Sequence, residues 1–213
     1  MTNQAQLTAL QAQINPHFLY NTLENIRWKV IELCRGDNEA SQMILKLSEL
    51  LRISLDDADQ IISIEQEVRN TRLYVDILQL RYESKLEVQW NIPEEVQKCA
   101  IVKVSLQPLI ENAVYHGIKP KREKGIIQVY AEKDSEKLKV TIQDDGIGMD
   151  PEECRILNED LRNNFQFKKG HIGVRNVNQR LKLLLGDQAQ MKVTSEKGKG
   201  TCVQMALPYR EVE

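Results

Sequence analysis

His17 lies in the run Ile14-Asn-Pro-His-Phe-Leu-Tyr-Asn-Thr-Leu23, and Asn21 follows it by one helical turn. An imidazole with one free nitrogen is a nucleophile toward a phosphoryl group. An amide four residues on stands where it can hydrogen-bond that ring or its phosphorylated form. On a helical wheel Leu19, Leu23, Ile26, Val30 and Leu33 gather within about 40° of their mean direction. His17, Asn21, Glu24 and Trp28 fall on the opposite side, so His17 belongs to an outward face. Alone, it reads more readily as a solvated surface histidine behind an Asn15-Pro16 cap. A phosphoryl donor elsewhere in the chain separates the two readings.

The second half holds groups suited to a nucleotide. In Leu106-Gln-Pro-Leu-Ile-Glu-Asn-Ala-Val-Tyr-His-Gly117, Asn112 and His116 share a helix face, with Glu111 adjacent. An amide oxygen is a hard ligand that fits Mg²⁺ carrying phosphate oxygens. Thirty-two residues after Asn112, the sequence Val140-Thr-Ile-Gln-Asp-Asp-Gly-Ile-Gly-Met-Asp150 ends a strand in a D-x-G-x-G turn of Asp144, Gly146 and Gly148. A carboxylate among glycines can reach an adenine amino group while backbone approaches the ring. Gly170-His-Ile-Gly173 then opens a helix, whose free N–H groups and positive dipole end suit phosphates. Finally Lys197-Gly-Lys-Gly-Thr201 precedes the last strand, and Thr201 brings a hydroxyl. Each piece alone has a bland reading: a satisfied buried amide, a β-turn, solvated lysines at 168 and 169.

The elements that must position these groups divide by glycine usage. Only Gly36 precedes residue 117; the other nine glycines lie in the last 97 positions. The first part reads as helices, one long pattern from about residue 4 to 34 with a break at Pro16, then a turn at Gly36-Asp37-Asn38, then a helix over 39–55. These two helices pack as an antiparallel hairpin that buries little alone, so a second copy is expected to complete a four-helix bundle. A helix over 64–83 leads into a strand at 86–92. Then come a helix over 104–117, strands near 126–132 and 137–143, a helix after Pro151, a helix over 172–185, and strands near 190–195 and 201–207. The order implies α+β architecture, with one helical layer over a mixed sheet.

Composition narrows the function classes. The 213 residues carry 29 Lys+Arg against 31 Asp+Glu, a net charge of −2, without the basic excess of a general nucleic-acid binder. The turn Lys119-Pro-Lys-Arg-Glu-Lys124 reads as a solvated loop. No apolar run approaches the roughly 18 residues of a spanning helix, and the N-terminus lacks the marks of a signal peptide. Cys34, Cys99, Cys154 and Cys202 are scattered without a C-x-x-C pair and read as reduced thiols.

Taken in order, the Glu111-Asn112, Asp144–Gly148, Gly170–Gly173 and Gly200-Thr201 elements resemble the boxes of the GHKL (Bergerat) ATPase fold. With the Ile14–Leu23 motif upstream, the chain is similar from about residue 7 to 208 to the cytoplasmic end of LytS/YesM-type sensor histidine kinases. The resemblance implies a helical dimerisation and phosphotransfer region over 1–60 and an ATP-binding domain over 61–213. It implies that ATP autophosphorylates His17, with Asn21 and Glu111 as helpers, and that the phosphoryl group passes to an aspartate of a response regulator. Asn112 would bind Mg²⁺ and Asp144 adenine; His116, Gly146, Gly148, Gly170, Gly173 and Thr201 would shape the cofactor site, with 150–170 as a lid. It further implies a homodimer through the hairpin, no nucleic acid, and membrane attachment only through a sensor region absent from this chain. The chain departs from the commoner kinase pattern at Phe18, where an acid would follow His17; Glu24 and Glu111 are the candidates for a general base. Two rivals are a nucleotide-binding scaffold with little turnover and a GHKL ATPase that hydrolyses ATP. The second has no use for an outward His17.

Overall fold

The computed structural model describes residues 16–55, 60–82, 85–163 and 171–212. The expected helix before Pro16, Gly170, Lys168 and Lys169 lie outside them. The chain divides into two compact units, Met1–Ala58 and Asp59–Glu213.

The first unit is a hairpin of α1 (Pro16–Cys34) and α2 (Glu39–Leu55), packed against each other. Arg35 turns the chain with φ 56°. Asn38 and Ser41 then cap α2 reciprocally: the Ser41 N–H donates to Asn38 Oδ1 at 3.1 Å, and the Asn38 N–H donates to Ser41 Oγ at 2.9 Å. This satisfies donors that a helix start leaves unpaired. Of the expected α1 stripe, Leu19, Leu23 and Val30 are half-buried. Ile26 and Leu33 stay exposed at 46% and 73%.

The second unit is built on a five-stranded mixed sheet of order β2-β4-β5-β7-β6. Its strands are β2 (Leu86–Asn91), β4 (Gly125–Asp134), β5 (Lys137–Asp144), β6 (Gln190–Glu196) and β7 (Gly200–Pro208). Only the β2–β4 pair is parallel. A small ladder of β1 (Ile61–Ser63) with β3 (Ala100–Val102) stands apart. The helical layer comprises α3 (Ile64–Tyr82), α5 (Leu106–Asn112) and α7 (Ile172–Leu185), with a single-turn α4 (Glu94–Gln97) and α6 (Pro151–Asn163) beside it. Strand alternation sets the core: Leu138, Val140 and Ile142 of β5 meet Val203, Met205 and Leu207 of β7 and Ile127 and Val129 of β4 on the inner face. Helical residues Val68, Val75, Leu109, Ile110, Val177 and Leu181 close over them.

The helix expected over 104–117 differs in detail. It is α-helical only to Asn112 and continues as a π-helical turn, Ala113–Ile118. The β1–β3 ladder was not among the expected elements, because three-residue strands carry too little alternation to register.

Candidate functional site

In the hairpin, His17 and Asn21 are both exposed, as the helical wheel predicts. Asn21 Nδ2 lies 3.2 Å from His17 Nδ1, so one ring nitrogen is engaged by the amide one turn on. Glu24 on the same helix is half-buried and lies 3.5 Å from the Arg27 guanidinium. Phe18 and Trp28 are exposed at 65% and 60%.

In the second unit, Asp144 is buried for a reason written in its strand. Leu138, Val140 and Ile142 face inward, and Asp144 continues that parity as the last residue of β5. Its Oδ1 accepts the N–H groups of Gly146 at 2.9 Å and Thr201 at 3.3 Å. Burial pushes the carboxyl up to about 6, against the pull of those two bonds. The glycines around it are where backbone comes close. A Cβ on Gly117 would stand 2.6 Å from Asp144 Oδ1, and one on Gly146 would run into the Gly117 backbone. Gly148 sits at φ 63° against the Glu196 carbonyl, a conformation and an approach that suit glycine. Ser195 ties this turn down: its Oγ accepts the Met149 N–H at 2.8 Å and donates to the Gly200 carbonyl at 2.9 Å. Asp145 points elsewhere and holds the preceding loop, accepting from Lys121 Nζ and the Ile126 N–H.

Asn112, His116, Gly117, Asp144, Gly148, Thr201 and His171 line one cleft, floored by Leu109, Ile142, Met149, Leu157 and Val203. A second depression continues it past Glu111, Asn112, Tyr115, His116, His171 and Gly173. The structure thus gathers Glu111, Asn112, His116, Asp144, Gly148, Gly173 and Thr201 along one continuous surface, and Gly146 backs it. Asn112 Nδ2 donates to the Pro108 carbonyl at 2.7 Å, which fixes the amide and leaves Oδ1 as its acceptor atom. Gly173 allows α7 to approach Asn112, since a Cβ there would strike the amide.

Sequence reasoning missed several neighbours. His171, at φ 51°, precedes α7 and places Nε2 2.9 Å from Glu153 Oε1. Its ring lies 5.4 Å from that of His116. Burial, and after it the neighbouring His171, lowers the His116 pKa. The expectation of a lid over 150–170 also needs revision. Pro151–Asn163 is a helix fastened at many points: Arg175 to Asp160 at 2.7 Å, Asn178 and Lys182 to the Leu161 carbonyl, and Asn158 to Val193. Of the residues named for that lid, 164–170 lie outside the described residues.

Comparison with known proteins follows the same division. Residues 5–86 match the family model described as "Histidine kinase", and residues 101–211 match "Histidine kinase-, DNA gyrase B-, and HSP90-like ATPase". The chain is 36% identical over 207 residues to the sensor histidine kinase YesM of Bacillus subtilis, covering 97% of this chain and 34% of that protein. It is 39% identical over 189 residues to the sensor histidine kinase YpdA of Escherichia coli, covering 88% and 32%. It therefore spans about a third of the length of these curated relatives. In fold, it is similar to the histidine kinase domain of the Erythrobacter litoralis EL346 blue-light activated kinase, with TM-score 0.51 at 21% identity over 96% of this chain and 91% of that one. A nucleotide-free catalytic domain of histidine kinase ThkA gives TM-score 0.51 at 15% identity over 71% and 97%.

Proposed function

This chain belongs to the histidine kinase-, DNA gyrase B- and HSP90-like ATPase family and, within it, to the sensor histidine kinases; from that premise we propose that it phosphorylates its own His17 from ATP and passes the phosphoryl group to an aspartate of a response regulator. The observation that carries this reading is Asp144: a buried carboxylate, held through Oδ1 by two backbone N–H groups, in a slot that glycines keep open. Oδ2 then serves as acceptor for the adenine amino group, and the lost hydration of the carboxylate makes that bond selective.

The residues present fit a nucleotide-borne Mg²⁺. Among the described residues no group of three or more His, Cys, Asp or Glu side chains could hold a metal by itself. Asn112 Oδ1 offers one hard ligand; phosphate oxygens and water supply the rest. The ion, when bound, neutralises charge on the transferring phosphate. His116 and the start of α7 border the depression where the phosphates would lie. Thr201 buttresses Asp144 through its N–H, and Gly170 is assigned by resemblance alone.

At the acceptor, a His17 ring nitrogen forms the N–P bond as the bond between the γ-phosphorus and its bridging oxygen breaks, and ADP leaves. Asn21 Nδ2 faces Nδ1, and which ring nitrogen carries the proton depends on the tautomer. Rotating the amide by half a turn lets Oδ1 accept from Nδ1–H and frees the Nε2 lone pair. In that orientation Asn21 would favour the nucleophilic tautomer without an acid at position 18. Glu24, beside Arg27, suits the role of base less well. Glu111, exposed at the depression's edge, remains the candidate from the nucleotide side.

We assign residues 1–60 to dimerisation and phosphotransfer and 61–213 to ATP binding. The exposed Ile26, Leu33, Leu45 and Leu47 of the hairpin support pairing with a second copy. We further propose that the input comes from a membrane-anchored sensor region, for which the greater length of the relatives leaves room; among the described residues no helix is long and apolar enough to cross a membrane.

The test is incubation of the wild type and His17→Gln with Mg²⁺ and γ-labelled ATP. Acid-labile, alkali-stable label on the wild type alone is the expected result. Equal label on both proteins overturns the assignment of His17, and absence of label despite ATP binding overturns kinase activity in this chain.

A further inference from the structure

The helix that carries Asn112 begins without a cap of its own. Ser105 precedes α5 in a helical conformation, and its hydroxyl donates back to the Val102 carbonyl at 2.6 Å instead of serving the first turn. The orphan N–H groups are satisfied from another helix. Glu67, in the first turn of α3, accepts the Val104 N–H on Oε2 at 2.9 Å and the Ser105 and Leu106 N–H groups on Oε1 at 2.7 and 2.9 Å. This carboxylate is 1% exposed. Arg180 of α7 holds the carbonyls of the same loop, donating to Lys103 O at 2.7 Å and Val104 O at 3.3 Å. Donors and acceptors of residues 103–106 are therefore gripped by opposite charges from two different helices.

The grip has a purpose visible in the backbone. Val104 sits at φ 56°, a left-handed conformation that a β-branched residue adopts only when its surroundings impose it. Burial pushes the Glu67 carboxyl up; the three N–H bonds and the Arg180 charge work against that push. An isolated helix start needs no such device, since Ser, Asp or Asn at the cap position suffices.

We propose that Glu67 and Arg180 are positioning residues for the nucleotide reaction: together they fix the start of α5 and so set where Asn112 meets the metal-bound phosphates. This rests on the nucleotide reading of the cleft. Asn112 lies six residues along α5 from Leu106, close to two turns. At that level α7 touches α5 again, through Gly173 against Asn112. The two helices are thus pinned to each other at both ends of α5. Asp144, by contrast, is held by β5 and by the N–H groups of Gly146 and Thr201, none of which belongs to α5. The clamp therefore acts chiefly on the metal–phosphate side of the site, since the helix meets the Asp144 turn at its far end, where Gly117 packs on Asp144 and accepts the Ile147 N–H at 3.1 Å.

That asymmetry gives the test. Glu67→Gln keeps the side-chain volume but turns an NH₂ group toward backbone N–H donors. Calorimetric titration would measure ADP in EDTA and a non-hydrolysable Mg–ATP analogue on the wild type and E67Q, with amide exchange followed at residues 104–106. The expected result is an affinity loss of about 10- to 100-fold for the Mg–ATP analogue, less than about threefold for ADP in EDTA, and faster exchange at those amides. Equal losses for both ligands, or none for either, overturn the proposal while leaving the nucleotide site in place. A wild type that binds neither ligand overturns the nucleotide reading, and the clamp's role with it. If E67Q does not fold, Arg180→Lys serves in its place. It keeps the charge beside Glu67 but gives up the two-pronged hold on the Lys103 and Val104 carbonyls, and the same pattern of unequal losses is expected.

Discussion

The side chain of Asn158 forms a two-way bridge to the backbone of Val193: its Nδ2 donates to the Val193 carbonyl at 2.7 Å, and its Oδ1 accepts the Val193 N–H at 3.0 Å. Val193 lies on β6, the edge of the sheet, so the amide plays the part of the missing neighbour strand. Asn158→Ala leaves both backbone groups without that partner and is expected to cost about 2 kcal/mol. A urea midpoint equal to that of the wild type would refute the bridge as a stabilising contact.

Nucleotide affinity should depend on pH through Asp144. Its folded carboxyl is pushed up to about 6, above the ordinary value of 3.8. The folded state therefore holds the extra proton between those values, and this group's contribution to stability falls as pH rises through that window. Binding runs the other way, because the ionised carboxylate is the stronger acceptor. Affinity for ADP should drop as pH falls below about 6, by at most about tenfold per unit. Asp144→Asn is expected to bind about 10- to 100-fold more weakly and to flatten that profile. A slope that persists in the variant would assign the proton to another group.

Gly148 and Gly186 offer a matched pair. Both have positive φ, 63° and 69°, but a Cβ at Gly148 meets the Glu196 carbonyl, whereas one at Gly186 meets nothing within 4 Å. Gly186, at φ 69° and ψ −162°, lies in a region nearly reserved for glycine, so Gly186→Ala should lose about 2 kcal/mol from the backbone alone. Gly148→Ala adds the collision and should lose about 3 kcal/mol. Thermal unfolding of both variants measures the difference, and equal losses would mean that the turn simply relaxes around the methyl group.

Asn21→Ala removes the group that engages His17 Nδ1. Autophosphorylation is expected to slow about tenfold while the label stays on His17, and Asn21→Asp, which can accept from Nδ1–H, should restore most of the rate. Initial rates with labelled ATP decide this. An unaltered rate in the alanine variant would remove Asn21 from the chemistry.

The sequence revealed what is repeated or local. The α2 and α7 boundaries followed from periodicity and from the turns beside them, and the strand that delivers Asp144 followed from Leu138, Val140 and Ile142. What it hid was what depends on partners far along the chain. Glu67 reads as one more acidic residue in a helix's first turn, yet it serves amides 37 to 39 positions away. Asn158 and Arg175 read as surface polar residues; only packing of α6 against β6 and α7 makes them a fastening. Ile26 and Leu33 belong to a periodic stripe but remain exposed in the single chain, where periodicity alone gave no sign of it; the proposed pairing with a second copy would cover them.

The π-helical turn over Ala113–Ile118 has a consequence for how relatives should be aligned. Such a turn holds one residue more than the α-helical turn it replaces. It rotates everything C-terminal to Asn112 relative to a plain α-helix, bringing His116 and Gly117 together onto the cleft. A homologue with an uninterrupted helix here would need one residue fewer to present the same groups. The proper place for a single-position gap is then inside this turn and not in the exposed loop after it, and a gap placed in that loop would pair His116 with the wrong column.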